Sequence, residues 1–214
     1  MKKFIASVIY LAALLLPPTC HAQGNLTYLN NTSQSVEGSL AIGLDYGSIG
    51  MEFQTGSNVG GYLFNSLQLL FADATGSPSF PGLHVVILTD PFGAPGMNVA
   101  VLDSSLDPVA PGFFNFSPQT SATLEANTLY WLVVSTTGGF LGSGYNLSYT
   151  TSTATSSPDG WALTGGMAFG QAGYPIFSMN ATAVPEPSTF VLIILCGALI
   201  ASKIKTSATA KRPR

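Results

Sequence analysis

His84 is the single imidazole between residues 23 and 183, and it stands in the run Leu83-His84-Val85-Val86-Ile87-Leu88. Strand alternation would put it on the face opposite Leu83, Val85 and Ile87. A Ser-His-Asp triad would need it, but no Gly-x-Ser-x-Gly elbow accompanies it. One His and no Cys in that span cannot supply the three or four N or S ligands of a tight zinc site. Carboxylates are the remaining chemistry. Glycoside hydrolysis requires two of them at a fixed separation, and no spacing in the chain marks a pair. Calcium suits them better: Asp73, Asp90, Asp103, Asp107 and Asp159 stand in loop-like contexts where carbonyls would complete an oxygen shell. No EF-hand pattern is present. The aromatic residues Trp161, Tyr62 and Tyr145, with Phe92 and Tyr174, adjoin turns, where flat rings either stack on sugar faces or pack into the core. Trp161 leads that set because Ser157-Pro158-Asp159-Gly160 before it is polar. The expectation is therefore no catalytic residue and no cofactor, with calcium and a glycan as the two ligands worth testing.

The charge distribution excludes more than it suggests. All seven Lys and Arg of the 214-residue chain (Lys2, Lys3, Lys203, Lys205, Lys211, Arg212 and Arg214) lie at its two ends. Between residues 23 and 183 there are nine carboxylates (Glu37, Asp45, Glu52, Asp73, Asp90, Asp103, Asp107, Glu125 and Asp159) and no Lys or Arg. Nucleic-acid binding relies on cations that neutralise phosphates, so this span has no means of doing it. A P-loop lysine and an arginine finger are missing by the same count.

Residues 1–22 read as a secretory signal peptide: Lys2 and Lys3, an apolar run over 4–16, the Pro17-Pro18 break, and small residues at Cys20 and Ala22. Cleavage after Ala22 would make Gln23 the new N-terminus and direct the chain through signal peptidase and the Sec translocon. A lipoprotein signal using Cys20 is the other reading, for which Pro17, Pro18 and Thr19 are a poor approach. Cys196 lies in the apolar segment near the C-terminus, so the exported span has no cysteine and must draw its stability from a core. Its length of about 160 residues suffices for one.

At the C-terminus, Val184-Pro185-Glu186-Pro187-Ser188 precedes an apolar stretch over 190–201 and the cations Lys203, Lys205, Lys211, Arg212 and Arg214. The prolines keep the peptide extended. The apolar stretch would enter the bilayer as a short transmembrane helix, and the basic tail would stay cytoplasmic. This segment, over 184–214, resembles the PEP-CTERM sorting signal of Gram-negative bacteria, in which the same three elements come in the same order. The resemblance implies an exosortase-type membrane transpeptidase as partner and an inner-membrane anchor held only transiently. It also implies delivery to the cell surface or to an extracellular matrix of exopolysaccharide.

The span over 23–183 reads as one all-β domain. Its 22 glycines and 9 prolines leave little room for helices. The longest stretch free of both, 119–137, contains Leu129-Tyr130-Trp131-Leu132-Val133-Val134, whose aromatic and β-branched residues predict a buried central strand over 128–136. Further strands are predicted over 26–30, 49–55, 62–71, 83–89, 98–102, 113–116, 145–151, 161–164 and 176–181. Within 62–75 the spacing of Leu63, Leu67 and Leu70 also suits a helix face; strand is preferred. The regular spacing suggests an antiparallel β-sandwich of two sheets, or a jelly roll.

Several segments of this domain also resemble the choice-of-anchor R domain. They are Glu52-Phe53-Gln54-Thr55-Gly56-Ser57-Asn58 with Gly61-Tyr62, then Ala94-Pro95-Gly96, then Leu124-Glu125-Ala126-Asn127-Thr128-Leu129-Tyr130-Trp131-Leu132-Val133, and Ser157-Pro158-Asp159-Gly160-Trp161. That resemblance implies an exported β domain joined to a variable anchor, supports Phe53 and Trp131 as core, and supplies no catalytic residue. The combined expectation is a non-enzymatic envelope or biofilm-matrix protein. The alternative is a carbohydrate-active module, either binding or hydrolytic.

Overall fold

The computed structural model describes residues 25–43, 47–74, 82–104, 108, 110–136, 145–168 and 173–185. Residues 1–22, read above as a signal peptide, Asp107, and the segment from Glu186 onward, including Pro187 and Ser188, lie outside the described residues.

Thirteen strands follow in order: β1 (Leu26–Asn30), β2 (Gly38–Ile42), β3 (Ile49–Gln54), β4 (Tyr62–Ala74), β5 (Leu83–Thr89), β6 (Asn98–Asp103), β7 (Gly112–Pro118), β8 (Ala122–Leu124), β9 (Leu129–Thr136), β10 (Tyr145–Thr150), β11 (Ala162–Ala168), β12 (Tyr174–Pro175) and β13 (Phe177–Ala183). No helix occurs among the described residues. Within the 62–75 span the described residues Tyr62–Ala74 form a strand, β4, with partners along both edges.

Every pairing is antiparallel, and the strands form one continuous path, β1-β13-β4-β7-β6-β5-β9-β3-β11, with β2, β8, β10 and β12 attached at its side. β4 organises one half. Tyr62 pairs with Ala183 of β13 and with Leu124 of β8, and Phe71 pairs with Leu147 of β10 and with Gly112 of β7. The other half is β6, β5, β9, β3 and β11. The halves are joined between β6 and β7 by two residue pairs, Leu102 with Pro118 and Asp103 with Ser117. The sheet thus curls until it is nearly closed into a barrel, leaving β1 and β11 as the ends of the path.

Inside lie alternate residues of each strand. Val85 and Ile87 of β5, Tyr130, Leu132 and Val134 of β9, and Ile49, Met51 and Phe53 of β3 meet Phe64, Leu67, Leu69 and Phe71 of β4. β9 is buried on its other face as well, where Trp131 and Val133 gather with Val86 and with the partly buried Leu88 and Val101. This double burial explains its unbroken apolar sequence. His84 is half-buried on the same outward face as Val86 and Leu88, as its alternation predicts.

Candidate functional site

The gap between β1 and β11 is crossed by the loop that precedes β11. Ser156 exchanges two backbone hydrogen bonds with Asn30 at the end of β1, at 3.1 and 2.7 Å. From there the chain runs through Asp159 to Trp161, whose indole fills the seam. Its ring centroid lies 5.3 Å from that of Tyr28 on β1, 5.0 Å from Tyr62 on β4 and 5.9 Å from Phe53 on β3. Tyr130 of β9 extends the cluster, 5.9 Å from Phe53. Rings drawn from both halves of the sheet therefore meet on one indole, a large contribution to apolar burial at the only gap in the path.

This placement corrects the expectation of sugar-stacking rings. Trp161, Tyr62 and Tyr145 are 2%, 0% and 2% exposed, and none offers a face to a ligand. The polar loop before Trp161 covers the indole. Tyr145 packs inward 6.2 Å from Phe71. Tyr174 is buried too, whereas Phe92 is almost fully exposed.

Polar contacts tie this corner together. The Tyr62 hydroxyl donates to Asp159 Oδ2 and accepts the Asn58 N–H at 2.9 Å. Burial, reinforced by the Asp159 carboxylate, pushes the Tyr62 phenol up to about 12. The Trp161 indole N–H lies beside that phenol oxygen without forming a full hydrogen bond. Thr55 at the end of β3 donates its hydroxyl to the Glu125 carbonyl at 2.5 Å and accepts the Thr128 N–H at 3.0 Å, which fixes the turn into β9. A methyl group at Gly56 would fall on the Asp159 carbonyl, so the two loops approach as closely as only glycine permits. Residues 52–62, 124–133 and 157–161, separate in sequence, are thus brought to one end of the barrel.

The C-terminal exit is held at the same place. Val184 donates its N–H to the Gly61 carbonyl at 2.9 Å, and the Asn58 side-chain amide donates to the Val184 carbonyl at 3.0 Å and to the Gly61 carbonyl at 2.5 Å. Tyr28, whose phenol is raised by burial first, faces the backbone of Ala183. Pro185, the next residue, is exposed. The last described residue thus follows a backbone-locked valine.

A second arrangement was not foreseen from the sequence. Glu52 of β3 and Leu88 of β5 both lie opposite Trp131 of β9, so Glu52 and Asp90, two residues beyond Leu88, share the outer face. Their carboxyl groups meet. Burial, then the contact with Asp90, raises Glu52 above the ordinary carboxylate value, and Thr164 Oγ1 donates to Glu52 Oε2 at 2.6 Å. Asp90 is lowered, chiefly because Glu52 donates to it and also because loop N–H groups do. Among the described residues Asp90 Oδ2 and the indole N–H of Trp131, which lies opposite Glu52, have no hydrogen-bond partner, and a proton on Glu52 would give this carboxyl pair a donor. Paired carboxyls of this kind hold a proton between them. The signal that would have found them is cross-strand register, which no one-dimensional spacing carries.

The other aspartates remain dispersed. Asp73 is exposed near the end of β4, Asp103 is exposed at the end of β6, and Asp159 is engaged by Tyr62. Among the described residues no three His, Cys, Asp or Glu side chains gather as a metal site. Of the expected sorting motif, Val184 and Pro185 are described, directly after β13. A scan against protein-family models gives no match, and no curated protein matches the chain.

Proposed function

We propose that the protein is a non-enzymatic exported component of a Gram-negative cell envelope or exopolysaccharide matrix. Its β domain would be held briefly at the inner membrane by its C-terminal segment and then processed near Pro185-Glu186-Pro187 by an exosortase-type transpeptidase. The observation that carries this reading is the junction. The ordered triplet, apolar stretch and basic tail of the sequence begin at Pro185, which is exposed, directly after Val184, which is locked to Gly61 and Asn58. A transpeptidase needs an extended, accessible strand beside a rigid stop, and prolines on both sides of Glu186 provide one. The rest of the domain reads as an inert two-faced β-sandwich of jelly-roll type, which the narrow β6–β7 joint between its halves supports. The choice-of-anchor R resemblance is consistent with this, because the segments that carry it meet around the same exit.

Intact-mass measurement of envelope and matrix fractions tests the reading. Species beginning near Gln23 and ending between Glu186 and Ser188 are expected in the matrix, and the full C-terminal segment should persist when the host's exosortase gene is deleted. Retention of residues 190–214 on matrix-bound protein in the intact host would sink it.

A further inference from the structure

Four of the six exposed large apolar side chains among the described residues lie at the end of the barrel from which the chain departs. Thr89 of β5 pairs with Tyr130, and Gln54 of β3 pairs with the neighbouring Leu129, so the loops after β5 and after β3 leave the sheet together. The first carries Phe92 and Met97, 96% and 77% exposed, and the second carries Val59, 76% exposed. Leu26 joins them, since it pairs with Ala181 two residues before the end of β13. Val184 bonds to Gly61 in the same loop as Val59.

The Asp90–Met97 loop is built for a medium poorer than water in hydrogen bonds. Pro91 and Pro95 have no N–H to satisfy. The N–H groups of Gly93 and Ala94 donate to Asp90 Oδ1, and that of Phe92 also faces the Asp90 carboxylate. Gly96 donates to the Thr89 carbonyl at 2.8 Å and Met97 to Thr89 Oγ1 at 2.9 Å. Every donor of the tip is therefore used within the loop, and no charged side chain lies between Pro91 and Met97. Immersing such a loop leaves no backbone donor stranded, which removes part of the cost of placing irregular backbone in lipid.

Chain length says what faces it. Phe190, where the apolar segment begins, is five residues beyond Pro185. Fully extended, that stretch spans at most about 18 Å. The headgroup layer is about 6 Å deep. While the C-terminal segment is in the membrane, this end of the barrel cannot stand far from the lipid.

We propose that Phe92, Met97 and Val59 form a lipid-contacting rim that seats the domain on the bilayer interface before processing, by apolar insertion without electrostatic attraction. The proposal rests on the anchored reading given above. The domain's nine carboxylates and absence of Lys and Arg favour zwitterionic over anionic lipid.

The test uses the unprocessed chain with its C-terminal segment intact, floated with phosphatidylcholine vesicles, and compares Phe92→Trp with Phe113→Trp. Phe113 is exposed on β7, where it pairs with Leu70, far along β4 from Tyr62. Lipid brominated near the headgroup end of its acyl chains should quench the added emission at position 92 by about half, as expected for a side chain at the headgroup boundary. It should leave position 113 unchanged. Flotation with position 92 unquenched overturns the rim and leaves the anchor standing. A blue-shifted, unquenched emission at position 92 that strengthens with protein concentration assigns the patch to a second copy and also overturns it. Failure to float at all overturns the anchored reading and the rim with it.

Discussion

The Trp161 indole stacks on the Phe53 ring with centroids 5.9 Å apart and planes 14° apart. One ring comes from the loop entering the last strand of the path and the other from the neighbouring strand β3, and Tyr28 of the first strand packs on the same indole. A single side chain thus replaces the ladder that would otherwise close the sheet. Among the described residues, backbone hydrogen bonds across that gap are those of the Asn30–Ser156 bridge, so stability there depends on packing.

Replacing Trp161 with Ala should therefore cost about 3–5 kcal/mol in a urea or guanidinium titration of the exported domain. Trp161→Phe, which keeps a ring in the seam, should cost distinctly less. Equal, small losses for both would mean that the seam is held by something other than the indole.

Gly60 touches the Val184 carbonyl so closely that a Cβ cannot be accommodated without moving one of the two chains. Gly60→Ala should release Val184 while lowering global stability by about 1–3 kcal/mol. Limited proteolysis of the full chain should then cut in the 183–189 region several-fold faster, with the rest of the domain intact. An unchanged cleavage rate there would show that the valine latch does not govern access.

Acid dependence follows from Glu52 and Asp90. Burial and the Asp90 contact raise Glu52 above 4.5, so the folded state holds a proton that the unfolded chain releases. Its stabilisation is complete below that ordinary value and is lost as pH rises through the folded one. Asp90, lowered from 3.8 by the Glu52 contact, works in the opposite sense and loses its contribution as pH falls through its folded value. Glu52→Gln keeps a donor at every pH. Melting curves should show the wild type losing ground to this variant as pH rises from about 4.5 toward 7. Parallel curves would mean that no proton is held between the two groups.

Chelation tests the calcium suggestion. Asp90 is committed to loop N–H groups and Glu52, and Asp159 to Tyr62. The midpoint is expected to stay within about a degree when calcium is removed at constant ionic strength. A bound ion at about 100 times its Kd would contribute roughly 2.7 kcal/mol and move it by several degrees.

Strands with their own apolar alternation were legible in the sequence. The predicted 26–30 and 83–89 segments coincide with β1 and β5, and 128–136 differs from β9 by one residue. β2, β8 and β12 were not anticipated. Gly38-Ser39-Leu40-Ala41-Ile42 has weak strand propensity and is held by its register with β10, while Ala122–Leu124 is a strand because the long β4 offers it an edge. The same limit governed the site. Composition shows that Trp161 adjoins a polar turn, but whether that turn exposes the indole or covers it depends on Tyr28 and Phe53, distant in sequence. Glu52 and Asp90 become neighbours only through the register of β3, β9 and β5.

Among the described residues β1 and β13 are the first and last strands, and β13 is the one strand that pairs with β1. For a chain threaded N-terminus first across a membrane, as proposed, β1 would emerge earliest and wait longest. β4 would likewise have one edge open until β13 arrived. Folding would then be timed by the end of translocation, because the ladder that completes the sheet closes across nearly the whole domain, the kind of distant pairing that slows folding. Until then the emerging chain would present unpaired strand edges in the extracytoplasmic space, a window of vulnerability to aggregation and proteolysis that closes when Ala183 has cleared the membrane.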